Sequence, residues 1–218
     1  KKYGTVLADI AAASAESNKY AKRDILVRRM GDGTMPMFRA IYMAVAENKM
    51  LSDSERQAKL AEIQKSLAGR EPIYEREMLK FFLRQFADLP EGQKFDGAEK
   101  LFGSFGGQAR VAAETAFAEN VAEGDYWTAE TVAALYGPQA LDFRPERDNV
   151  KAFAAALKIE KDAANARAVA FAGKIDRLRL LYQQCMAEMK GITPYPDANS
   201  TLRFSFGNVK GYAPREAE

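Results

Sequence analysis

Residues 148–190 read DNVKAFAAALKIEKDAANARAVAFAGKIDRLRLLYQQCMAEMK, a stretch made almost entirely of residues that favour helix. Alanine, leucine, lysine, arginine and glutamate lose little side-chain freedom when they enter a helix. Asp148 opens the stretch and Gly191 closes it, while Gly173 is its weakest interior position. The stretch therefore predicts one long helix, or two helices that meet near Gly173.

Apolar residues also recur at helical spacing through most of the chain upstream. The run that begins at Tyr3 predicts one helix to about Arg29, which the sequence Gly31-Asp32-Gly33 ends. Further helices are predicted at about residues 37–45, 52–67, 72–86, 98–102, 111–121 and 128–136. The predicted fold is all-α, an irregular bundle of about seven or eight helices with one orphan C-terminal strand.

Local signals mark several of the predicted helix ends. Ser52 and Glu55 have the spacing of a capping box, in which each side chain bonds to the other's backbone N–H. Pro72 stands where a first-turn proline is tolerated, and Thr128 can cap the helix that follows it. The helix after Pro72 is predicted to stop at Leu89-Pro90.

The composition limits the function classes that this chain can serve. It has 32 basic and 30 acidic residues, a net charge of +2, which gives no electrostatic basis for a nucleic-acid or membrane partner. Histidine is absent, so a Ser-His-Asp or Cys-His catalytic unit and a His-ligated metal site within the chain are excluded. We predict no catalytic, cofactor-binding or metal-ligating residue. The lone Cys185 is predicted to be a buried, inert thiol.

Other candidate sites have simpler structural explanations. The glycine-rich stretch Phe102–Gly107 lacks the Lys-Ser/Thr of a phosphate-binding loop, so it is interpreted as a helix connection. The aromatics Phe81, Phe82 and Phe86 are interpreted as core. Tyr126-Trp127 precedes a helix, where a hydrophobic staple is the expected role and a cleft lining the alternative.

Two groups of carboxylates could be mistaken for acid–base pairs. We interpret both as solvated helix faces that pair locally with lysine or arginine. They are Asp9, Glu16 and Asp24 in the first group and Glu71, Glu75 and Glu77 in the second.

The C-terminal end has the alternation of a β-strand instead of helical spacing. From Thr201 to Phe206, polar residues alternate with Leu202, Phe204 and Phe206. A lone strand leaves backbone donors and acceptors unpaired, and no second strand of comparable quality lies upstream. The pattern predicts that the partner strands belong to a larger protein from which this chain was cut.

The same region carries a family resemblance. The residues concerned are Tyr195-Pro196-Asp197-Ala198-Asn199, Ser200-Thr201-Leu202-Arg203, Gly207, Val209, Gly211 and Tyr212, together with Arg179 and Tyr182 in the preceding helix. This string resembles a segment of the bacterial dipeptidyl-peptidase 7 and dipeptidyl-peptidase 11 family. These are serine exopeptidases of the chymotrypsin clan.

The resemblance implies a double β-barrel with a Ser-His-Asp triad and a helical domain inserted between the barrel halves. On this view residues 1–192 are the helical cap and residues 193–218 re-enter the absent barrel. The cap would close the substrate cleft, so that the enzyme releases dipeptides from free N-termini. The resemblance also implies a periplasmic or secreted homodimer without a cofactor. It leaves open which dipeptides are preferred.

The family's triad and its Gly-Asn-Ser-Gly-Ser segment have no counterpart here, and Gly103-Ser104 does not qualify. The chain alone is therefore expected to be inactive. The family's cap also supplies an asparagine that holds the substrate's terminal amine. No motif assigns that role among the candidates, which are Asn18, Asn48, Asn120, Asn149, Asn165 and Asn208. The alternative is a stand-alone helical interaction module whose terminal strand adds to a partner's sheet edge.

Overall fold

The computed structural model describes residues 3–30, 34–103, 107–137 and 145–191, with side chains from residue 148 in the last range. These residues form helices without a strand, as predicted for residues 1–192. The helices are α1 (Val6–Lys19), α2 (Ala21–Met30), α3 (Pro36–Glu47), α4 (Asp53–Leu67), α5 (Pro72–Ala87), α6 (Asp96–Phe102), α7 (Gln108–Glu123), α8 (Ala129–Ala134) and α9 (Pro145–Lys190). The predicted strand at 201–206 lies outside the described residues, so it stays a prediction.

The single helix predicted from Tyr3 to about Arg29 is wrong, because the chain breaks into α1 and α2 at Tyr20. The Tyr20 N–H bonds the carbonyl of Ser17 instead of continuing the i to i−4 ladder. The ladder resumes at once, since the Asp24 N–H donates to the Tyr20 carbonyl at 2.8 Å. With this extra helix, the described residues hold nine helices where seven or eight were expected.

Helix α9 resolves the alternative at Gly173 in favour of one continuous helix of 46 residues. At 1.5 Å per residue it is about 70 Å long, far longer than the rest of the bundle requires. Its first half runs through the core, where Val150, Phe153 and Leu157 are fully buried. The second half runs beyond the core, with α1 beside it.

Phe153 is the centre of the core. Its ring lies 5.3–5.9 Å from four other phenylalanine rings, which come from α3, α6, α7 and the segment before α6. Such tilted and edge-on pairs stabilise beyond the area that they bury. These four rings belong to Phe38, Phe95, Phe102 and Phe117.

The predicted helix ends are confirmed where the signal is local. Ser52 and Glu55 form the expected capping box, and the Glu55 carboxylate accepts the Ser52 N–H at 2.8 Å. Helix α5 begins at Pro72. Thr128 caps α8 by accepting the Thr131 N–H at 3.2 Å. Side chain and backbone meet within one turn at each of these sites, so the sequence alone is sufficient to find them.

The aromatic interpretation is confirmed in part. Phe82 and Phe86 are buried in the core, but Phe81 is 51% exposed, so its assignment to the core is wrong. The reason is its position on α5, one residue around the helix from the buried face. Trp127 is buried in the core with the ring of Tyr126 edge-on at 5.2 Å.

Glu75 contradicts the prediction of a solvated helix face. Its side chain is only 1% exposed, and its Oε1 accepts the Phe38 N–H at 2.9 Å. The carboxylate of α5 therefore caps the first turn of α3, which has no side-chain cap of its own. Burial raises the pKa of Glu75, although the Phe38 hydrogen bond and the Arg70 guanidinium, 3.8 Å away, oppose this shift.

Arg110 is a second buried charge, and it ties together the connection between α6 and α7. Its Nε donates to Glu114 at 2.8 Å, and its Nη1 donates to Glu99 at 2.9 Å and to the Gly103 carbonyl. Burial opposes the charge of Arg110, but its bonds to Glu114 and Glu99 outweigh that effect, so its pKa is raised. Gly103 and Gly107 have φ of 87° and 122°, which suits a helix connection built on glycine.

Candidate functional site

The second half of α9 and the α1–α2 pair form an antiparallel two-helix arm. Tyr3 Oη donates to Glu188 at 2.7 Å, and Asp24 pairs with Arg167. These two contacts are 21 residues apart on the α1–α2 side and also 21 residues apart on α9, so the antiparallel register holds through the break at Tyr20. Within this arm, the polypeptide at Tyr3 and the polypeptide at Glu188 lie side by side.

The seam of the arm follows the alternating steps of three and four residues that coiled coils use. Its members are half-buried or buried, in contrast with most of their neighbours. On the α1 side they are Tyr3, Val6, Ile10, Ala13, Ser17 and Tyr20, and on α9 they are Ala164, Ala168, Phe171, Ile175, Leu178 and Cys185. The intervening position on α9, Tyr182, is 38% exposed. This spacing is visible in the sequence, but the register between two segments that lie so far apart is not.

The arm buries little because each helix has only one neighbour there. Val169 is 73% exposed, Leu180 61% and Met189 75%. Cys185 is half-buried, which corrects the prediction of a buried thiol. A side chain on a two-helix seam is open to solvent at both edges, whereas the same pattern inside a bundle would be covered.

Ion pairs fasten the base of the arm. Arg167 Nε donates to Asp24 Oδ2 at 3.1 Å and its second nitrogen bonds the other oxygen, a bidentate geometry. The hydrogen bond to Asp24 raises the pKa of Arg167, whose guanidinium also stacks 5.1 Å from the Tyr20 ring. Arg23 pairs with Glu160 through one nitrogen.

The interpretation of Asp24 as a solvated residue is therefore wrong, since its partner comes from α9. The prediction holds for Glu16, which pairs with Lys19 at 2.5 Å, and for Glu77, which pairs with Lys80 at 3.1 Å. Asp9 and Glu71 are exposed, as expected. A partner three or four residues away is visible in sequence, and one 143 residues away is not.

A groove of about 430 Å³ opens where the arm joins the bundle. Small residues on both helices, including Ala13, Ser17 and Ala168, leave this space between the backbones, and Tyr20 and Phe171 form larger walls. Charged side chains from both helices surround it: Glu16, Asp24, Arg28, Arg167 and Lys174. Its surface offers charge and apolar contact, which suits binding.

Within the residues that the structure describes, no group of three or more acidic or cysteine side chains is placed to hold a metal ion. Over the same residues, no helix is both long and apolar enough to cross a membrane.

The asparagines considered for the substrate amine are scattered over the molecule. Asn48 occupies a left-handed position after α3, with φ of 45°. Asn120 and Asn149 line one cavity of about 230 Å³ beside the phenylalanine cluster. Asn208 lies outside the described residues, and the remaining two are exposed on helix surfaces. The amine-binding residue is therefore still unassigned.

Comparison with known proteins gives a family match across the chain. The model of the family described as Peptidase S46 matches residues 1–218. An Asp/Glu-specific dipeptidyl-peptidase of Porphyromonas endodontalis is 37% identical over 71 residues, which are 32% of this chain and 10% of that protein. An enzyme of the same description from Flavobacterium psychrophilum is 44% identical over 45 residues, 20% of this chain and 6% of that protein.

The aligned parts of this chain thus span a tenth or less of the curated relatives that they match. No solved structure matches the chain.

Proposed function

Since the chain belongs to the peptidase S46 family, we propose that its helices form the cap of a serine dipeptidyl-peptidase. In the whole protein this cap closes one end of the substrate cleft, so that dipeptides are released from free N-termini. The relatives named as dipeptidyl-peptidases and the C-terminal resemblance support the activity. The catalytic serine, histidine and aspartate belong to the rest of the polypeptide.

The observation that carries the cap proposal is the antiparallel arm. Through the contact between Tyr3 and Glu188, the two ends of the described helical body lie side by side. A domain whose two ends lie together can be inserted into a host domain without disturbing the host's fold. This is the geometry that an insertion between two halves of a barrel requires.

The cap's contribution to catalysis is geometric in this proposal. A wall across a groove excludes a long N-terminal extension, and fixed polar groups on the wall hold the substrate's amine. Positioning of this kind is worth several kcal/mol in the transition state, with an upper range of about 7–11 kcal/mol in well-oriented systems. The helical body needs to be rigid for this role, and the core around Phe153 provides that rigidity.

The test replaces residues 4–187 of the whole protein with a short flexible linker that joins Tyr3 to Glu188. We expect the remaining protein to fold, because the two junctions already lie side by side, and to lose its restriction to dipeptide products. Products from a defined peptide are measured by mass spectrometry. Continued release of dipeptides alone would contradict the cap role.

The isolated chain provides the complementary control. It is expected to be helical by circular dichroism and to hydrolyse no dipeptidyl substrate, because it contains no histidine for the triad. Turnover by the purified chain would overturn the proposal. A failure to fold would instead show that the helical body depends on the rest of the protein.

The same family resemblance supports a proposal for the cellular location and the oligomeric state of the whole protein. We propose a periplasmic or secreted homodimer in which residues 193–218 re-enter the barrel. Cell fractionation tests the location, and light scattering of the whole protein tests the dimer. A cytoplasmic monomer would contradict both parts.

A further inference from the structure

We propose that the groove at the base of the arm binds a short peptide that carries a carboxylate side chain. The source of this peptide rests on the proposed function, because an enzyme that releases dipeptides is surrounded by such molecules. The binding itself rests on the groove's shape and charge. The site lies on the helical body, between the α1–α2 pair and α9.

The shape of the groove suits a small peptide. Its volume of about 430 Å³ lies within the roughly 300–1,000 Å³ that small-molecule sites occupy. Tyr20 and Phe171 provide apolar walls, and Ile25, at 58% exposure, stands at the rim. These residues would cover an apolar side chain of the ligand.

The charges around the groove do not cancel. Asp24 is neutralised by Arg167, and Glu16 is neutralised by Lys19. Arg28 donates to the Ala164 carbonyl at 2.9 Å and has no acidic partner within the described residues. Lys174 has none either in this part of the chain. Two cationic side chains therefore face one groove without a counter-charge.

Arg28 has a further unmet requirement. Its Nε is buried and has no hydrogen-bond partner. A buried donor without an acceptor destabilises the unliganded protein. A carboxylate in the groove would accept from the guanidinium, and Lys174 would add long-range attraction. The ligand chemistry that satisfies these groups is an anion attached to an apolar body.

Two other cavities among the described residues lack this combination. One of about 370 Å³ contains Lys59, but that ammonium already pairs with Glu62 at 3.0 Å and stacks over the Tyr136 ring. The cavity of about 230 Å³ offers only the amides of Asn120 and Asn149 as polar side chains. The first cavity is also lined by Arg39, its one cation without an acidic partner among the described residues, and the second is lined by no charged side chain. The groove of the arm has two such cations.

The experiment compares two dipeptides that differ by one charge. Leucyl-aspartate and leucyl-asparagine are titrated into the purified chain by calorimetry at low salt. We expect leucyl-aspartate to bind at least tenfold more tightly, and the difference to shrink as salt screens the charges. Equal affinities for the two dipeptides, or no binding of either, would overturn the proposal.

Four variants locate the binding. Arg28→Gln is expected to lower the affinity for leucyl-aspartate at least tenfold, and Lys174→Gln should lower it severalfold. Ala170→Trp should block the groove for both dipeptides. Lys190→Gln removes one exposed positive charge outside the groove and should leave affinity unchanged. Circular dichroism confirms that each variant is folded; Lys174 and Ala170 are exposed, so their variants test the site even if Arg28→Gln unfolds.

Binding that is unaffected by both Lys174→Gln and Ala170→Trp would contradict this location. The outcome is separate from the cap proposal, because it is measured on a chain without hydrolytic groups. A cap that restricts products but binds no acidic peptide would reject only this inference.

Discussion

Helix α9 belongs to two different surroundings: its first half lies inside the helical bundle, and its second half lies in the two-helix arm. In the first half, Phe153 is surrounded by four aromatic rings and is fully buried. In the second half, which packs beside α1, Ile175 is 7% exposed and Val169 is 73% exposed. The helical pattern of apolar residues is similar in both halves. The number of neighbouring helices, and not the pattern, decides how much each apolar residue stabilises.

The largest expected effect lies in the bundle. Phe153→Ala should lower the free energy of unfolding by about 4 kcal/mol, because it removes a buried ring and leaves a cavity among its four partners. Ile175→Ala in the arm should cost about 2 kcal/mol or less, since the arm can relax around the loss. Urea unfolding, followed by circular dichroism, measures both.

The milder Phe153→Leu keeps the comparison measurable if the alanine variant does not fold. Val169→Ala is the exposed control and should stay within about 0.5 kcal/mol of the parent chain. If Ile175→Ala lowers the free energy of unfolding as much as Phe153→Ala does, the arm is as well packed as the bundle.

Glu75 is the next site by expected size. Glu75→Ala should cost about 2–3 kcal/mol, because it leaves the Phe38 N–H at the start of α3 without its acceptor and Arg70 without its counter-charge. Urea unfolding measures the loss. The exposed neighbour Glu71 provides the matched control, and Glu71→Ala should change stability by less than about 0.5 kcal/mol. Equal effects would reject the capping role of Glu75.

The pH dependence of the free energy of unfolding tests the Glu75 carboxyl without removing it. Its folded-state pKa is raised above the ordinary 4.5, so the folded chain keeps this proton to higher pH than the unfolded chain does. The contribution of this bound proton to the free energy of unfolding is fully present below pH 4.5, and it is lost as pH rises through the folded-state pKa. Glu75→Gln should remove this decline, as measured by urea midpoints between about pH 4 and pH 8. A decline of unchanged size in the variant would contradict the assignment.

The smallest expected effect is at the base of the arm. Arg167→Ala removes a partly exposed bidentate pair with Asp24 and should cost about 1 kcal/mol. Hydrogen exchange should show faster amide exchange in α1 and the second half of α9, with the bundle unchanged. Faster exchange across α5 and α7 would show instead that the arm and the bundle unfold together.

The sequence predicts whatever a single turn of chain specifies, such as the caps at Ser52 and Thr128 and the start of α5 at Pro72. It fails where the partner is remote. In the sequence, Glu75 and Asp24 cannot be told from surface carboxylates. Their partners lie on α3 and α9, which are remote along the chain. The break at Tyr20 has no glycine or proline to mark it.

The candidate site was less predictable than the fold for the same reason. The groove exists because small residues of α1 and α2 face small residues of α9, and their register is fixed only by tertiary contacts. Its unbalanced charge can be counted only after Asp24 and Glu16 have been assigned to their partners.

The register of the arm is tested most directly with the chain's single cysteine. Val6 and Cys185 are seam positions that the contacts of Tyr3 and Asp24 place opposite each other. Val6→Cys should therefore cross-link to Cys185 within one molecule under mild oxidation or with a short bismaleimide. Ala13→Cys, two turns along the same seam, should not. Efficient cross-linking by Ala13→Cys, or none by Val6→Cys, would contradict the antiparallel register and with it the side-by-side ends on which the cap proposal depends.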